Sequence, residues 1–428
     1  MAKETPVNLR NWQFYQIFIR QFSSPHDFKG AIPKLPYVKS LGTDCIQLVP
    51  FHPIGVFRRK GTVGSPYSIK DYYSVDSLNG NLEDFKTFLE EAHRLGMKVL
   101  MDIVFNHTSH DANYTKTHPD WYYQDDLGNF QNRVGDWWDI ADLKIEGNQE
   151  LQDELLNVLT YWVKQGIDGF RCDVAPLIPL EFWARARKEL SILNPNLLWV
   201  AESVHRSFIK YLRDLGYEAS SDGEIYQVFD ICYDYDIFDH FENYLLGKEP
   251  LQTWVDNLLD QEMIYPKNYV KYRYLENHDF KRIASYATTN TQLRNFNAML
   301  FLLRGSVFLF NGQELGIAHH PNLFEIDEVD WNTNDEANLT SLIKTLSKFK
   351  KATGYINDPM NIEVLGNDVI KIEYKQLGGK RTVTGIFNLG KTPQAVETQV
   401  KGKNVLTGQE IDETEITVDE PLILIRSE

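Results

Sequence analysis

Eight short apolar, β-rich runs separated by helical patterns constrain this chain more than any other feature. They fall at residues 15–19, 45–49, 99–104, 169–172, 198–201, 226–229, 269–275 and 307–310. Between 82 and 95 the apolar Leu82, Phe85, Phe88, Leu89 and Ala92 recur at helical spacing, and Gly96 stands where a helix would end. Strands joined through helices pair in parallel, and a parallel sheet is covered on both faces, which is why these runs are apolar throughout instead of alternating. Eight repeats of this kind predict an α/β fold closed as a (β/α)8 TIM barrel. A barrel of this type takes roughly 250 residues, and the chain has 428. Part of the surplus lies at 108–143, where the third strand leads into a segment rich in Asp, Asn, His, Trp and Tyr instead of a helix. That reads as a short inserted domain on the C-terminal face. The rest follows residue 355, where alternating runs at 369–374, 381–388 and 415–426, divided by Gly-Gly and Gly-Lys turns, predict an antiparallel β-domain. The expected division is a barrel over 1–107 and 144–354, an insertion over 108–143 and a C-terminal β-sandwich over 355–428.

Charge narrows the partners. A formal net charge of −16 repels a phosphate backbone or an anionic lipid surface, so neither nucleic acid nor membrane is expected. The start of the chain carries no apolar segment, and the most apolar long stretch, 300–310, is interrupted by Arg304. Cys45, Cys172 and Cys232 are odd in number and lack metal-ligand spacing. A cytoplasmic protein is the expectation.

Titratable groups gather where the predicted strands end, the place where barrel enzymes keep their chemistry. The third strand closes on Asp102, Asn106 and His107, the fourth on Arg171 and Asp173, the fifth on Glu202, and the seventh on Glu276, Asn277, His278 and Asp279. Cleaving a glycosidic bond takes one carboxylate at the anomeric carbon and one protonated carboxyl beside the leaving oxygen. Arg171 shares a strand face with Asp173, which would keep that carboxylate ionised. Glu202 follows the apolar 198–201 run, where partial desolvation would favour its acid form. Taken singly, each of these residues also suits a helix cap, an ion pair or a satisfied core histidine; together, at four strand ends, they point to a site.

In order and spacing the four clusters resemble the signature regions of the α-amylase superfamily, glycoside hydrolase family 13, over residues 12–331. The resemblance implies Asp173 as nucleophile, Glu202 as general acid/base and Asp279 as the carboxylate that holds a distorted sugar. It implies that Arg171, His107 and His278 bind the nucleophile or the sugar hydroxyls, and that Asp102 shapes the third-strand end. The segment 64–72 resembles the family's stretch after strand two, so Tyr67 inherits the ring that stacks on the sugar. The stretch 139–143 resembles the close of the family's inserted domain. Asn106 matches a frequent calcium ligand, although the chemistry itself needs no metal. The Lys-His pair that often follows the nucleophile is replaced here by Val174-Ala175-Pro176-Leu177, so leaving-side contacts must differ; His205 and Arg206 are candidates for them.

The expected activity is retaining hydrolysis of α-1,4-linked glucans or maltooligosaccharides, with the two carboxyls about 5–5.5 Å apart. A glucanotransferase or a sugar isomerase would use the same residues. A non-catalytic sugar-binding barrel and a metal hydrolase built on Asp102, His107, Asp173 and His278 are the readings from other classes.

Overall fold

In the computed structural model, which describes residues 4–134, 136–332 and 335–427, eight parallel strands close into a barrel. In chain order the strands are β1 Gln13–Ile17, β2 Cys45–Leu48, β3 Lys98–Ile103, β4 His107–Ser109, β5 Ile140–Asp142, β6 Gly169–Cys172, β7 Leu198–Ala201, β8 Ile231–Tyr233, β9 Lys271–Arg273 and β10 Ser306–Phe310. The barrel runs β1-β10-β9-β8-β7-β6-β3-β2 and closes through Gln13 opposite Val307 and Phe14 opposite Cys45. Its strands are buried on both faces, as the unbroken apolar runs required. Gly169 in β6 is needed for closure: a Cβ there would lie 2.2 Å from the Leu198 carbonyl oxygen of β7.

The helices follow from their end residues. Leu82–Arg94 starts at Asn81, whose side chain accepts from the Glu83 and Asp84 amides, and buries Phe85, Phe88, Leu89 and Ala92 against the barrel. Each such phenylalanine contributes roughly 1.5–3 kcal/mol.

One strand lies elsewhere than the sequence suggested. Residues 226–229 form a turn after the short helix Asp222–Ile225, where Ser221 and Glu224 make a reciprocal cap; the sixth barrel strand is Ile231–Tyr233. A brief apolar run does not distinguish strand from helical turn, and the acidic Asp230, Asp234 and Asp236 around the true strand masked it. All three are buried.

Between β3 and β6 the insertion is built on a two-stranded ribbon, β4 against β5, with His107 opposite Asp142. Six further strands follow: β11 Met360–Leu365, β12 Val369–Lys375, β13 Arg381–Asn388, β14 Gln394–Asn404, β15 Glu410–Val418 and β16 Leu422–Ser427. They hydrogen-bond continuously in the antiparallel order β11-β12-β13-β16-β14-β15, and Val396, Val400, Ile416 and Val418 of β14 and β15 share a buried cluster with Val369, Ile386 and Leu424 of β12, β13 and β16. The predicted run 415–426 is two strands, broken at Asp419-Glu420-Pro421, because proline cannot donate to a ladder. The sheet seats on helix Asn290–Leu302: Tyr374 donates to the Leu302 carbonyl and the Asn388 amide to Asn295. No described helix is long and apolar enough to cross a membrane, and Cys45, Cys172 and Cys232 are free and buried.

Candidate active site

Strand ends place the site. Asp102 on β3 and Arg171 on β6 are inward residues of adjacent strands, paired in register. Arg171 is fully buried, and its guanidinium organises three carboxyls. Nη1 donates to Asp102 Oδ1 at 2.8 Å and to Asp173 Oδ1 at 2.9 Å. Nη2 lies 2.5 Å from Glu202 Oε1, but off the hydrogen-bond direction, so that contact is one of charge. The second Glu202 oxygen accepts from the Val174 amide at 2.7 Å. Val174 holds φ 34° and ψ 46°, a left-handed conformation costly for a β-branched residue, and this turn aims its N–H at Glu202.

Three carboxyls share one cation, so the cluster is short of positive charge. Burial pushes Asp102 up to about 7 against the pull of Arg171. Burial, then the charge of Glu202, push Asp173 well above the usual carboxylate range, with Arg171 opposing. Arg171 does pull Asp173 toward the ionised form, as expected from its place on the same strand face, but its charge is divided among three partners. Burial and mutual repulsion therefore favour a proton shared within the cluster and belonging to no single carboxyl.

Opposite this floor stands a ring pair. Tyr67 and His278 stack with centroids 5.3 Å apart and 14° between planes. The Tyr67 hydroxyl lies 3.0 Å from Asp102 Oδ2 and 2.6 Å from His278 Nε2. Burial raises the Tyr67 hydroxyl well above its ordinary value, so it stays protonated. Burial and the Arg171 charge lower His278 to about 3, so its ring is neutral. One arrangement satisfies both rings: Tyr67 donates to Asp102, His278 Nε2–H donates to Tyr67, and Nδ1 accepts from Gln16 at 3.1 Å. His107 is likewise neutral, lowered by burial. Asp279 stands next to the pair, its side chain 41% exposed, with Oδ2 3.4 Å from the Tyr235 hydroxyl.

Between these walls lies a cavity of about 310 Å³, at the small end of the range typical of small-molecule sites. Of the residues anticipated from the sequence, Tyr67, His107, Asp173, Glu202, His278 and Asp279 line it. Asp102 and Arg171 have no exposed surface and sit behind its floor, so they reach a ligand through Tyr67, Asp173 and Glu202. His205 is not among the lining residues; its ring stacks on Tyr235, centroids 5.6 Å apart, one layer behind Asp279. Arg206 points away, toward Asp236 and Asn257. Lys60, Ser65, Trp137, Asp139, Ile140, Val174, Leu323 and Phe324 also line the cavity, and sequence reasoning assigned none of them to it. Apart from Ile140 at the start of β5 they come from loops, which carry no periodic signal.

Asn106 does not fit a calcium site. Arg133 donates from Nη2 to Asn106 Oδ1 and from Nε to Asp142 Oδ2 at 2.9 Å, so a guanidinium already engages the oxygens a cation would need. Among the described residues no group of three or more His, Cys, Asp or Glu could hold a metal ion.

The family described as alpha amylase, catalytic domain, matches residues 16–138 and 118–358. The chain belongs to the α-amylase family. An α-amylase structure from Lactobacillus plantarum is 39% identical over 98% of this chain and 100% of that one, with a TM-score of 0.92. A noncanonic maltogenic α-amylase from Thermotoga neapolitana is 33% identical over 98% and 99%, with a TM-score of 0.86. Among curated relatives, neopullulanase 2 of Thermoactinomyces vulgaris is 26% identical over 68% of this chain and 50% of its own length. An α-1,4-glucan:maltose-1-phosphate maltosyltransferase of Picrophilus torridus is 29% identical over 55% and 41%. The chain thus spans about half the length of these curated relatives.

Proposed function

We propose that this α-amylase family member cleaves α-1,4-linked glucans or maltooligosaccharides with retention of configuration. The observation that carries the reading is the pair of carboxyls, Asp173 and Glu202, gripped by one buried guanidinium at the floor of a cavity, beside a ring platform suited to a sugar face.

In the first displacement an Asp173 oxygen attacks the anomeric carbon, the bond to the leaving sugar breaks, and the leaving oxygen takes the proton from Glu202. In the second, water attacks that carbon, gives its proton to Glu202, and the bond to Asp173 breaks. Tyr67 and His278 support the retained sugar, Asp279 and His107 meet its hydroxyls, and Asp102 and Arg171 position the reacting pair. The Val174 amide orients Glu202 through the exchange. No metal enters either step, and Arg133 fixes the insertion in place of one. Three free, buried thiols suit a reducing compartment, which supports a cytoplasmic address.

A time course on maltoheptaose with anomeric configuration recorded tests the reading: short α-configured products are expected, and β-configured first products would sink it. Transfer is the second reading, favoured by maltosyltransferases among the relatives; a sugar hydroxyl then replaces water in the second displacement, and products longer than the substrate would identify it.

A further inference from the structure

We propose that Lys60 and Asp139 form a bar across the retained-sugar end of the cavity, which makes the enzyme act from chain ends and release one or two glucose units at a time. The proposal rests on the reading of this cavity as an α-glucan site.

The loop after β2 and the loop after β10 are locked together over the barrel mouth. The Val63 and Gly64 amides donate to the Phe324 carbonyl at 3.1 and 3.2 Å, and the Thr62 amide donates to Glu325 at 2.9 Å. Arg20, from beneath, donates to the Gly64 and Leu323 carbonyls. From this locked wall Lys60 reaches the insertion, where its Nζ lies 2.7 Å from Asp139 Oδ1. The Asp139 side chain is 4% exposed and that of Lys60 21%, so the bridge is largely shielded from water and salt. The ammonium also lies 5.4 Å from the Trp138 ring centroid and 5.8 Å from that of Phe324, one aromatic on each wall.

The bar is on the retained-sugar side. Tyr67 shares a loop with Lys60 and connects through Asp102 to the Nη1 end of Arg171, whereas Glu202, whose proton goes to the leaving sugar, lies at the Nη2 end. Sugars beyond the retained one extend toward the non-reducing terminus, so a wall on this side limits how many precede the cut. The cavity of about 310 Å³ agrees with a short segment. One Lys60 N–H is spent on Asp139 and another faces the Asp136 carbonyl at 3.5 Å, which leaves one for a hydroxyl of the terminal sugar. Trp138, 49% exposed, would give a longer chain a surface to stack on once the bar is gone.

The test compares maltoheptaose with the same oligosaccharide capped at its non-reducing end by a cyclic acetal, in the native chain, Lys60→Ala and Asp139→Asn. Product lengths are recorded for the active enzymes, and binding is titrated for Asp173→Asn with and without Lys60→Ala. The native chain is expected to cut the capped substrate at least tenfold more slowly than the uncapped one and to release glucose or maltose from the latter. Lys60→Ala is expected to bring the two rates within about threefold and to lengthen the released products; Asp139→Asn shifts both the same way. Melting curves establish that the variants fold. Equal native rates on the two substrates, or a ratio unchanged by Lys60→Ala while cleavage persists, overturn the bar and leave the hydrolase reading standing. If nothing is cleaved but Asp173→Asn prefers the uncapped sugar and loses that preference with Lys60→Ala, the bar stands and the hydrolase reading fails. If neither cleavage nor preference is seen, both fail.

Discussion

Two buried charge clusters in this barrel are made of nearly the same groups and are set up for different ends. One, under β8 and β9, gathers Asp222, Asp234 and Asp236 around Lys271 and Arg273: Lys271 bonds Asp222 and, at 2.7 Å, Asp236, while Arg273 Nη1 lies 2.7 Å from both Asp234 oxygens. The other gathers Asp102, Asp173 and Glu202 around Arg171 alone. Three acids against two cations divide: Lys271 and hydrogen bonds hold Asp236 below its ordinary value against burial, while burial raises Asp234 and lifts Asp222 to about 6. Three acids against one cation leave Asp102 near 7 and Asp173 well above its ordinary range, both mainly through burial. What separates the clusters is the second cation and access to the cavity: Lys271 and Arg273 pin the first as a brace, whereas Arg171 is shared among Asp102 and the two carboxyls that line the cavity, Asp173 and Glu202.

Swapping the consequences of mutation between the clusters breaks this comparison most directly. Asp173→Asn is expected to abolish turnover by about ten-thousandfold with no loss of melting temperature. Lys271→Met should do the reverse, leaving Asp222 and Asp236 buried without their cation at a cost of about 3–5 kcal/mol, while the folded fraction keeps its specific activity. Melting curves and initial rates on maltoheptaose check both; a Lys271→Met that melts normally would remove the distinction.

The pH dependence of stability sharpens it. A carboxyl whose folded value is raised binds its proton more tightly in the folded state, so the stability that proton lends is present at acid pH and lost as pH rises from about 4 to about 7. Asp102→Asn removes that loss. The variant is expected to melt a few degrees above the native chain at pH 8, with the gap closing toward pH 4. A gap that widens on acidification would mean that Asp102 is held ionised, as Asp236 is beside Lys271.

Much of this was legible from the chain because barrel strands announce themselves twice, by apolar continuity and by the acids at their ends. Asp102, Arg171, Asp173, Glu202 and His278 could be placed together because each stands at or just beyond such a strand, and register then brings neighbours face to face. The sixth strand was missed where this rule was diluted, a three-residue strand between buried aspartates. Lys60, Phe324 and Asp139 were missed as a group because their proximity depends on three loops meeting, which no local pattern encodes. Arg133 was missed for the same reason: its partners Asn106 and Asp142 lie at the roots of the insertion and Arg133 within it.

Arg133 gives the next expected effect. If its guanidinium does a divalent cation's work, chelators leave native melting and activity unchanged, and Arg133→Ala costs about 1–3 kcal/mol by leaving Asp142 and Asn106 unsatisfied. Calcium added to Arg133→Ala checks the site itself, since the vacated oxygens are of the type that cation accepts. Loss of native activity on chelation would overturn the substitution.

The smallest effect concerns Val174, and its sign is the informative part. Val174→Ala and Val174→Gly both remove a side chain that packs with Leu177, Val204 and Leu212, but only glycine also relieves the left-handed backbone. Elsewhere alanine is the more stabilising of the two; here Val174→Gly should be more stable than Val174→Ala by about 1 kcal/mol. Its turnover should nevertheless be the lower, because the amide that holds Glu202 is then carried on a looser turn. If stability and turnover instead rise and fall together across the two variants, the strain at Val174 is incidental to Glu202, and Arg171 alone sets the position of the acid.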